Sequence, residues 1–220
     1  MKKLIIFGNG EFASIAKYYF SERKIESFCI DDKFLKEKNF EGIPLIGQSE
    51  LLKIDKNEFD IFVALSYKKM NEVRKKKYLE LKTLGYKFAS FIHNSSYVSD
   101  FAKIGENCFI LENQTIQRNV QIGNNVFMWS SNHIGHNSKV GDHNYISSHV
   151  IISGNCEVGN SCFFGVNSSV KDFTKIGNSC LISMGADIKS DLKQNSVALT
   201  KQNYDLINDE KIAEKIKSKI

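Results

Sequence analysis

The sequence predicts a chain in two parts, a small parallel α/β domain followed by a parallel β-helix of six-residue repeats. Three observations carry this: an apolar residue at every sixth position from Val98 to Ile188, a glycine-rich turn between the first strand and the first helix, and a central block poor in charge.

The repeat anchors are Val98, Ile104, Ile110, Ile116, Ile122, Met128, Ile134, Val140, Ile146, Ile152, Val158, Phe164, Val170, Ile176, Ile182 and Ile188. With 42% of the chain hydrophobic, sixteen consecutive hits have a chance on the order of one in a million, which marks a true internal repeat. Seven anchors are followed by Gly, and four places after an anchor the residue is mostly small, as at Cys108, Val120, Ser138, Cys156 and Ala186. A strand alone has period 2 and an amphipathic helix 3.6. Period six fits a short strand plus a turn, with three hexads to a coil. Residues 98–193 then make about 5 coils, roughly 25 Å tall at the spacing of paired strands. Gly, Asn and Ser make up 34 of those 96 residues, and they tolerate left-handed backbone or bond to it locally. They take the corners in a chain whose one proline is Pro44. The block holds 15 charged residues against 40 in the remaining 124, so the net charge of +5 resides in its flanks.

Residues 1–92 alternate differently. Leu4 to Phe7 reads as a strand, 11–20 as a helix, 27–30 as a strand ending at Asp31-Asp32, 60–65 as a strand, 70–84 as a helix and 88–92 as a last strand. That alternation predicts a Rossmann-like α/β domain. Gly8-Asn9-Gly10-Glu11-Phe12-Ala13 matches G-x-G-x-x-[G/A] where strand turns into helix. Its glycines let backbone approach a phosphate, the helix N-terminus favours an anion, and Asp31 or Asp32 can accept ribose or base hydrogen bonds. One mononucleotide half favours a nucleotide-linked ligand over a dinucleotide; a ligand-free tight turn is the alternative. After Lys193 the repeat fades, and Ile212, Ile216 and Ile220 suggest a short amphipathic helix in a tail at 194–220.

Composition sets exclusions. Five cysteines are odd in number and sparse, so reduced thiols are expected. Cys162 and Cys180, one coil apart, fall within disulfide reach, with buried thiols the plainer reading. No apolar run suits a membrane span, and the one after Lys3 is short for a signal peptide, so no membrane insertion and a cytoplasmic location are expected. The cluster Lys68, Lys69, Arg74, Lys75, Lys76 and Lys77 reads as the solvated face of a helix buried through Met70, Val73, Leu81 and Leu84, not as a nucleic-acid site.

His133-Ile134-Gly135-His136-Asn137 is the spot richest in titratable groups within the repeat, and Gly154 stands 18 residues beyond His136. A histidine beneath a residue without a side chain leaves room for a ligand, with a backbone N–H for an oxyanion: a general base and an oxyanion donor. A satisfied surface histidine explains the spacing equally well. His133, His143 and His149 invite a zinc reading, but the γ-class carbonic anhydrase pattern wants a histidine at 141, which is Gly. No metal is expected.

Gly8-Asn9-Gly10, Asp31-Asp32, the hexads, and Ile134-Gly135-His136 with Val140-Gly141 together resemble the NeuD/PglD-type sugar acyltransferases. The resemblance covers about residues 1–193 and implies a left-handed β-helix, although the general crossover rule would favour right-handed coils. It implies a homotrimer that transfers acetyl from acetyl-CoA to a nucleotide-linked amino sugar. The acceptor is often the amine of a UDP- or dTDP-4-amino-4,6-dideoxy sugar in bacterial surface-glycan biosynthesis. It implies His136 as catalytic base beside Asn137, where relatives often have Glu. Gly8, Gly10, Glu11, Phe12, Asp31, Asp32 and Ser66 would line the nucleotide-sugar site, and Tyr145, Gly154, Val166 and Asn167 would lie near CoA. Tyr145 stands where a relative has a histidine, and a charged tail replaces the usual Gly-x-Pro-Ala ending. The rival readings are O-acetylation of sialic acid or another glycan sugar, and a non-catalytic nucleotide-sugar binding protein.

Overall fold

A computed structural model describes residues 2–200. The expected helix near Ile212, Ile216 and Ile220 lies outside the described residues. Among those described, no helix is long and apolar enough to cross a membrane.

The N-terminal segment runs β1 (Lys3–Phe7), α1 (Glu11–Tyr19), β2 (Ile25–Ile30), β3 (Asn39–Phe40), β4 (Ile43–Gly47), α2 (Gln48–Leu51), β5 (Phe59–Val63) and α3 (Glu72–Thr83). The strands form one sheet in the order β3-β4-β2-β1-β5. This corrects the expected Rossmann-like nucleotide-binding domain. β3 is an antiparallel edge strand, β2 reaches β4 through a 3₁₀ turn and that hairpin, and α2 is a single turn. Two helices join full parallel strands, α1 between β1 and β2 and the single turn α2 between β4 and β5. The physical reason lies in the sheet's cover: α2 and α3 pack on one side through Leu51, Tyr78 and Leu81, and no helix beyond α1 is needed on the other. The α1 side shares one core with the wall of the second domain, where Phe28, Phe62, Ala13 and Ala16 pack with Phe109, Phe127 and Tyr145.

From Phe91 to Ala198 the chain is a hexapeptide-repeat β-helix of two-residue parallel strands on three faces, with seven, six and five strands. The repeat outlasts Lys193: Leu192 comes only four residues after Ile188, yet it packs on the core, as does Ala198. The anchors fill the interior, with Ile110, Ile116, Ile134, Ile146, Ile152 and Phe164 fully buried. Cys108, Cys156, Cys162 and Cys180 lie among them as free thiols.

From Asn107 to Gly185 each corner has a residue at positive φ, including Asn107, Asn113, Asn119, Asn125, Asn137, Asn155 and Asn167. This is why asparagine replaces proline here: it enters the left-handed region at low cost. The residue preceding each anchor points outward and defines the faces. One face carries Phe91, Phe109, Phe127, Tyr145, Phe163 and Leu181, and it docks on the N-terminal sheet. A second carries Tyr97, Thr115, His133, Ile151, Ser169 and Asp187. The third carries Lys103, Gln121, Lys139, Glu157 and Lys175.

The basic helix is the second correction. Arg74, Lys77, Tyr78 and Leu81 are its buried residues, whereas Val73 and Leu84 are exposed and Met70 precedes the helix. Lys77 Nζ donates to Asp31 Oδ1 at 2.6 Å and Gln48 Oε1 at 2.7 Å, and pairs with Glu80 at 2.8 Å. Arg74 is fully buried where the helix meets the β-helix. Its guanidinium donates to Asn125 Oδ1 (3.2 Å) and to the carbonyls of Asn125 (3.4 Å), His143 (3.3 Å), Asn144 (3.1 Å) and Ser66 (3.5 Å). It also lies 4.1 Å from the Phe127 ring centroid. Among the described residues no carboxylate pairs with it, and burial pulls its pKa down to about 9.

Beside it runs a polar ladder. Asn107 Oδ1 accepts the Val63 N–H (2.8 Å), Asn107 Nδ2 donates to Asn125 Oδ1 (2.8 Å), and Asn125 Nδ2 faces His143 Nδ1 at 2.9 Å. Burial lowers the His143 pKa to about 4, with Asp142 opposing that shift and Arg74 adding to it. A histidine held neutral when folded and titrating near 6.5 when unfolded contributes stability above pH 6.5, which is lost as pH falls toward 4. The loss reaches about 2–3 kcal/mol by linkage. Melting temperature is expected to fall between pH 7 and pH 4.5. In His143→Asn, which extends the ladder with a residue suited to its φ of 63°, much of that dependence should vanish; an identical pH profile would refute the assignment.

Candidate active site

Gly8 sits at φ +136°, and a Cβ there would lie 2.8 Å from the Ala64 carbonyl oxygen. It is needed where the chain leaves β1 beside the end of β5. Asn9, Gly10, Glu11 and Phe12 then open α1 into a cleft of about 500 Å³, completed by Ile15, Ser66, Tyr67, Trp129 and Tyr145. The cleft lies between the N-terminal sheet and the β-helix. Phe12 stacks on Phe127 at 5.0 Å and meets Trp129 edge-on at 5.9 Å. Trp129 Nε1 donates to the Tyr145 hydroxyl. Tyr145 stacks on Phe163 at 5.4 Å and packs against Tyr67 at 4.8 Å.

A second groove, of about 890 Å³, opens on the other side of the β5-α3 connection and includes Asp31, Asp32, Gln48, Lys68, Lys69, Lys76 and Lys77. Both carboxylates already have partners here. Asp31 is held by Lys77, and Asp32 accepts from Ser49 Oγ at 2.7 Å and from Ser49 N–H at 3.1 Å.

His136 lies exposed on the edge between the second and third faces. Its backbone N–H donates to Gln117 Oε1 at 2.9 Å, and Nδ1 lies 3.3 Å from the same oxygen. Asn155 Nδ2 is 3.5 Å from Nε2. An acceptor opposite Nδ1 and a donor opposite Nε2 put the proton of the neutral ring on Nδ1 and turn the Nε2 lone pair toward the Asn155 amide. A Cβ on Gly154 would meet the ring 2.6 Å from Cε1 and 2.9 Å from Nε2. The space beneath Gly154, expected to admit a ligand, is therefore filled by the imidazole itself. The Gly154 N–H has no acceptor among the described residues. Asn137 belongs to the corner ladder, accepting from Asn119 Nδ2 (3.0 Å) and donating to Asn155 Oδ1 (3.1 Å). It sits at the corner after His136, and no contact between its side chain and the ring is recorded.

The expected residues thus fall in four places. Gly10, Glu11, Phe12, Ser66 and Tyr145 meet in the cleft, so Tyr145 lies there and not beside Gly154. Asp31 and Asp32 line the neighbouring groove. His136 and Gly154 share one edge of the prism, and Val166 and Asn167 occupy another, between the docked and second faces. Among the described residues no three His, Cys, Asp or Glu side chains converge to hold a metal; His133, His143 and His149 stand on a face and two separate edges. Sequence reasoning missed Gln117, Asn155 and Trp129. Gln117 and Asn155 lie 19 residues before and after His136, one coil plus one place, and that arithmetic would have found them.

No family model and no curated protein matches the chain in sequence. Solved structures do match. A mutant of perosamine N-acetyltransferase from Caulobacter crescentus, in complex with CoA and GDP-perosamine, superposes with a TM-score of 0.81 at 19% identity, covering 91% of this chain and 94% of that one. The acetyltransferase domain of PglB from Neisseria gonorrhoeae gives 0.77 at 22% identity, over 90% and 96%. WeeI from Acinetobacter baumannii gives 0.76 at 16%, over 91% and 97%. The likeness falls on the group to which the sequence motifs pointed. Over nine-tenths of its length the chain has the fold of perosamine N-acetyltransferase and of the PglB acetyltransferase domain.

Proposed function

We propose that the chain is an acetyl-CoA-dependent N-acetyltransferase acting on a nucleotide-linked amino sugar, with His136 as base. The observation that carries this is the His136 edge: an exposed imidazole, its tautomer set by Gln117, lies against a glycine whose N–H has no acceptor. The structural neighbours crystallised with CoA and GDP-perosamine, or with acetyl-CoA, support the same reaction. The acceptor we favour is a 4-amino-4,6-dideoxy sugar on UDP, dTDP or GDP, destined for a bacterial surface glycan.

In this reading the sugar lies in the cleft against Gly10, Glu11, Phe12 and Ser66, with the nucleotide toward Asp31 and Asp32. The amine attacks the thioester carbonyl, Nε2 of His136 takes its proton, and the Gly154 N–H receives the oxyanion. The proton then passes to the leaving thiolate, releasing CoA. Within one chain the cleft, the His136 edge and the Val166-Asn167 edge stand apart, so the site needs a neighbouring copy, and we propose a homotrimer. Its contact surface is the second face, whose outward row from Tyr97 to Ser169 carries no carboxylate, lysine or arginine. The test is thiol release from acetyl-CoA against UDP-, dTDP- and GDP-linked amino sugars. Release with one of them is expected; none with any of the panel would overturn the reading.

A further inference from the structure

The connection from β5 to α3 contains no glycine, yet Lys69, Met70 and Asn71 are consecutive residues at φ 53°, 51° and 69°. Successive left-handed L-residues are disfavoured by contact of Cβ with the following carbonyl. Such a turn persists only where its surroundings over-determine it. Asn71 supplies the constraint. Its N–H closes the turn on the Tyr67 carbonyl at 3.0 Å, its carbonyl accepts from Lys75 N at 2.9 Å, and its side chain is fully buried. Its Nδ2 crosses to the β-helix and donates to the Cys162 carbonyl at 3.0 Å, while Oδ1 has no partner among the described residues. The side chain is thus held by the amide end alone, to a residue 91 positions away.

What this turn holds is the partition between the two cavities. Leu65 lines both, Ser66 and Tyr67 line the cleft, and Lys68 and Lys69 line the groove. A ligand with its sugar in one and its nucleotide in the other must pass over it. We infer that Asn71 is a positioning residue for nucleotide-sugar binding: it touches no ligand and acts by fixing Ser66 to Lys69. This rests on the reaction proposed above.

The test compares Asn71→Gly, which suits the backbone and cuts the tie, with Met70→Gly, which relieves the turn and keeps the tie. Asn71→Gly is expected to raise KM for the nucleotide amino sugar about tenfold, in line with the cost of small misplacements. Turnover at saturation should stay within about twofold, and KM for acetyl-CoA should not move. Emission of Trp129, the single tryptophan, should shift as the Tyr67 wall loosens. Met70→Gly should match the wild type. An unchanged nucleotide-sugar KM, an equal rise in both KM values, or the same defect in Met70→Gly would overturn the inference. If Asn71→Gly fails to fold, Asn71→Asp, which keeps shape and lacks the donor, is expected to show the same KM change. Titration of Trp129 emission with UDP, dTDP and GDP separates the two claims. A wild type that binds nucleotide without releasing CoA sinks the reaction and leaves this inference to the comparison of affinities. A wild type that binds none of the three sinks both.

Discussion

Replacing His136 with Ala is expected to lower turnover about 100-fold, the lower end of what a positioned general base contributes. The estimate sits low because a neutral amine is already a good nucleophile, so the base assists deprotonation more than attack. Binding should survive, since Gly10, Phe12 and Ser66 line a separate cleft, and stability should be untouched because the ring is exposed. The signature is therefore a fall in kcat and in kcat/KM by similar factors, with an unaltered melting curve. Full turnover in the variant, with the correct acceptor, would remove His136 from the chemistry. A pure stability loss would make it an ordinary corner residue.

Arg74→Ala is expected to be the most destabilising single substitution, at about 3–5 kcal/mol. Removing the guanidinium relieves one buried charge. It also strands the carbonyls of Asn125 and His143, each costing about 1–3 kcal/mol when left unsatisfied, and opens a cavity against Phe127, while the Asn144 carbonyl keeps the Phe127 N–H. At ~2–4 °C per kcal/mol for a chain of this size, melting temperature should drop by roughly 10 °C or more. Arg74→Lys should recover only part of this, because a point charge cannot reach several carbonyls as a planar fork does. Calorimetry checks both. A loss under ~1 kcal/mol would mean that the aromatic contacts and the remaining polar ties, among them Asn107 to Val63 and Asn71 to Cys162, hold the two domains without it.

The β-helix was legible in the sequence because its signal is additive: each anchor repeats the same demand for an apolar residue. The first domain was legible in its strands but not in its class. The pattern shows β1, α1 and β2, yet it cannot show that Phe109, Phe127 and Tyr145 would share the α1 face of the sheet, so that no second helix is needed there. The column was there to be read at period 18, one place before every third anchor, and the count at period 6 averaged it away. Arg74 and Lys77 were misplaced for a related reason. A basic helix is normally a solvated face, and only the corner carbonyls of Asn125 and His143, with Asp31 from β2, make these two exceptions. His136 could be singled out by spacing as a candidate, but its tautomer depended on Gln117, a neighbour across coils.

The docked face also divides the prism along its axis. The rungs at Phe91, Phe109 and Phe127 share a core with the N-terminal sheet, whereas the last rung ends at Val197 and Leu199, both more than half exposed. Stacked coils open from their least supported end. Amide exchange should therefore form a gradient, slow at the early coils and fast near Ala198. Tyr145 and Phe163 belong to the same shared core, so the His136 edge and the Val166-Asn167 edge both lie on anchored coils. The two edges expected to serve the reaction are thus held still while the coils beyond them open and close.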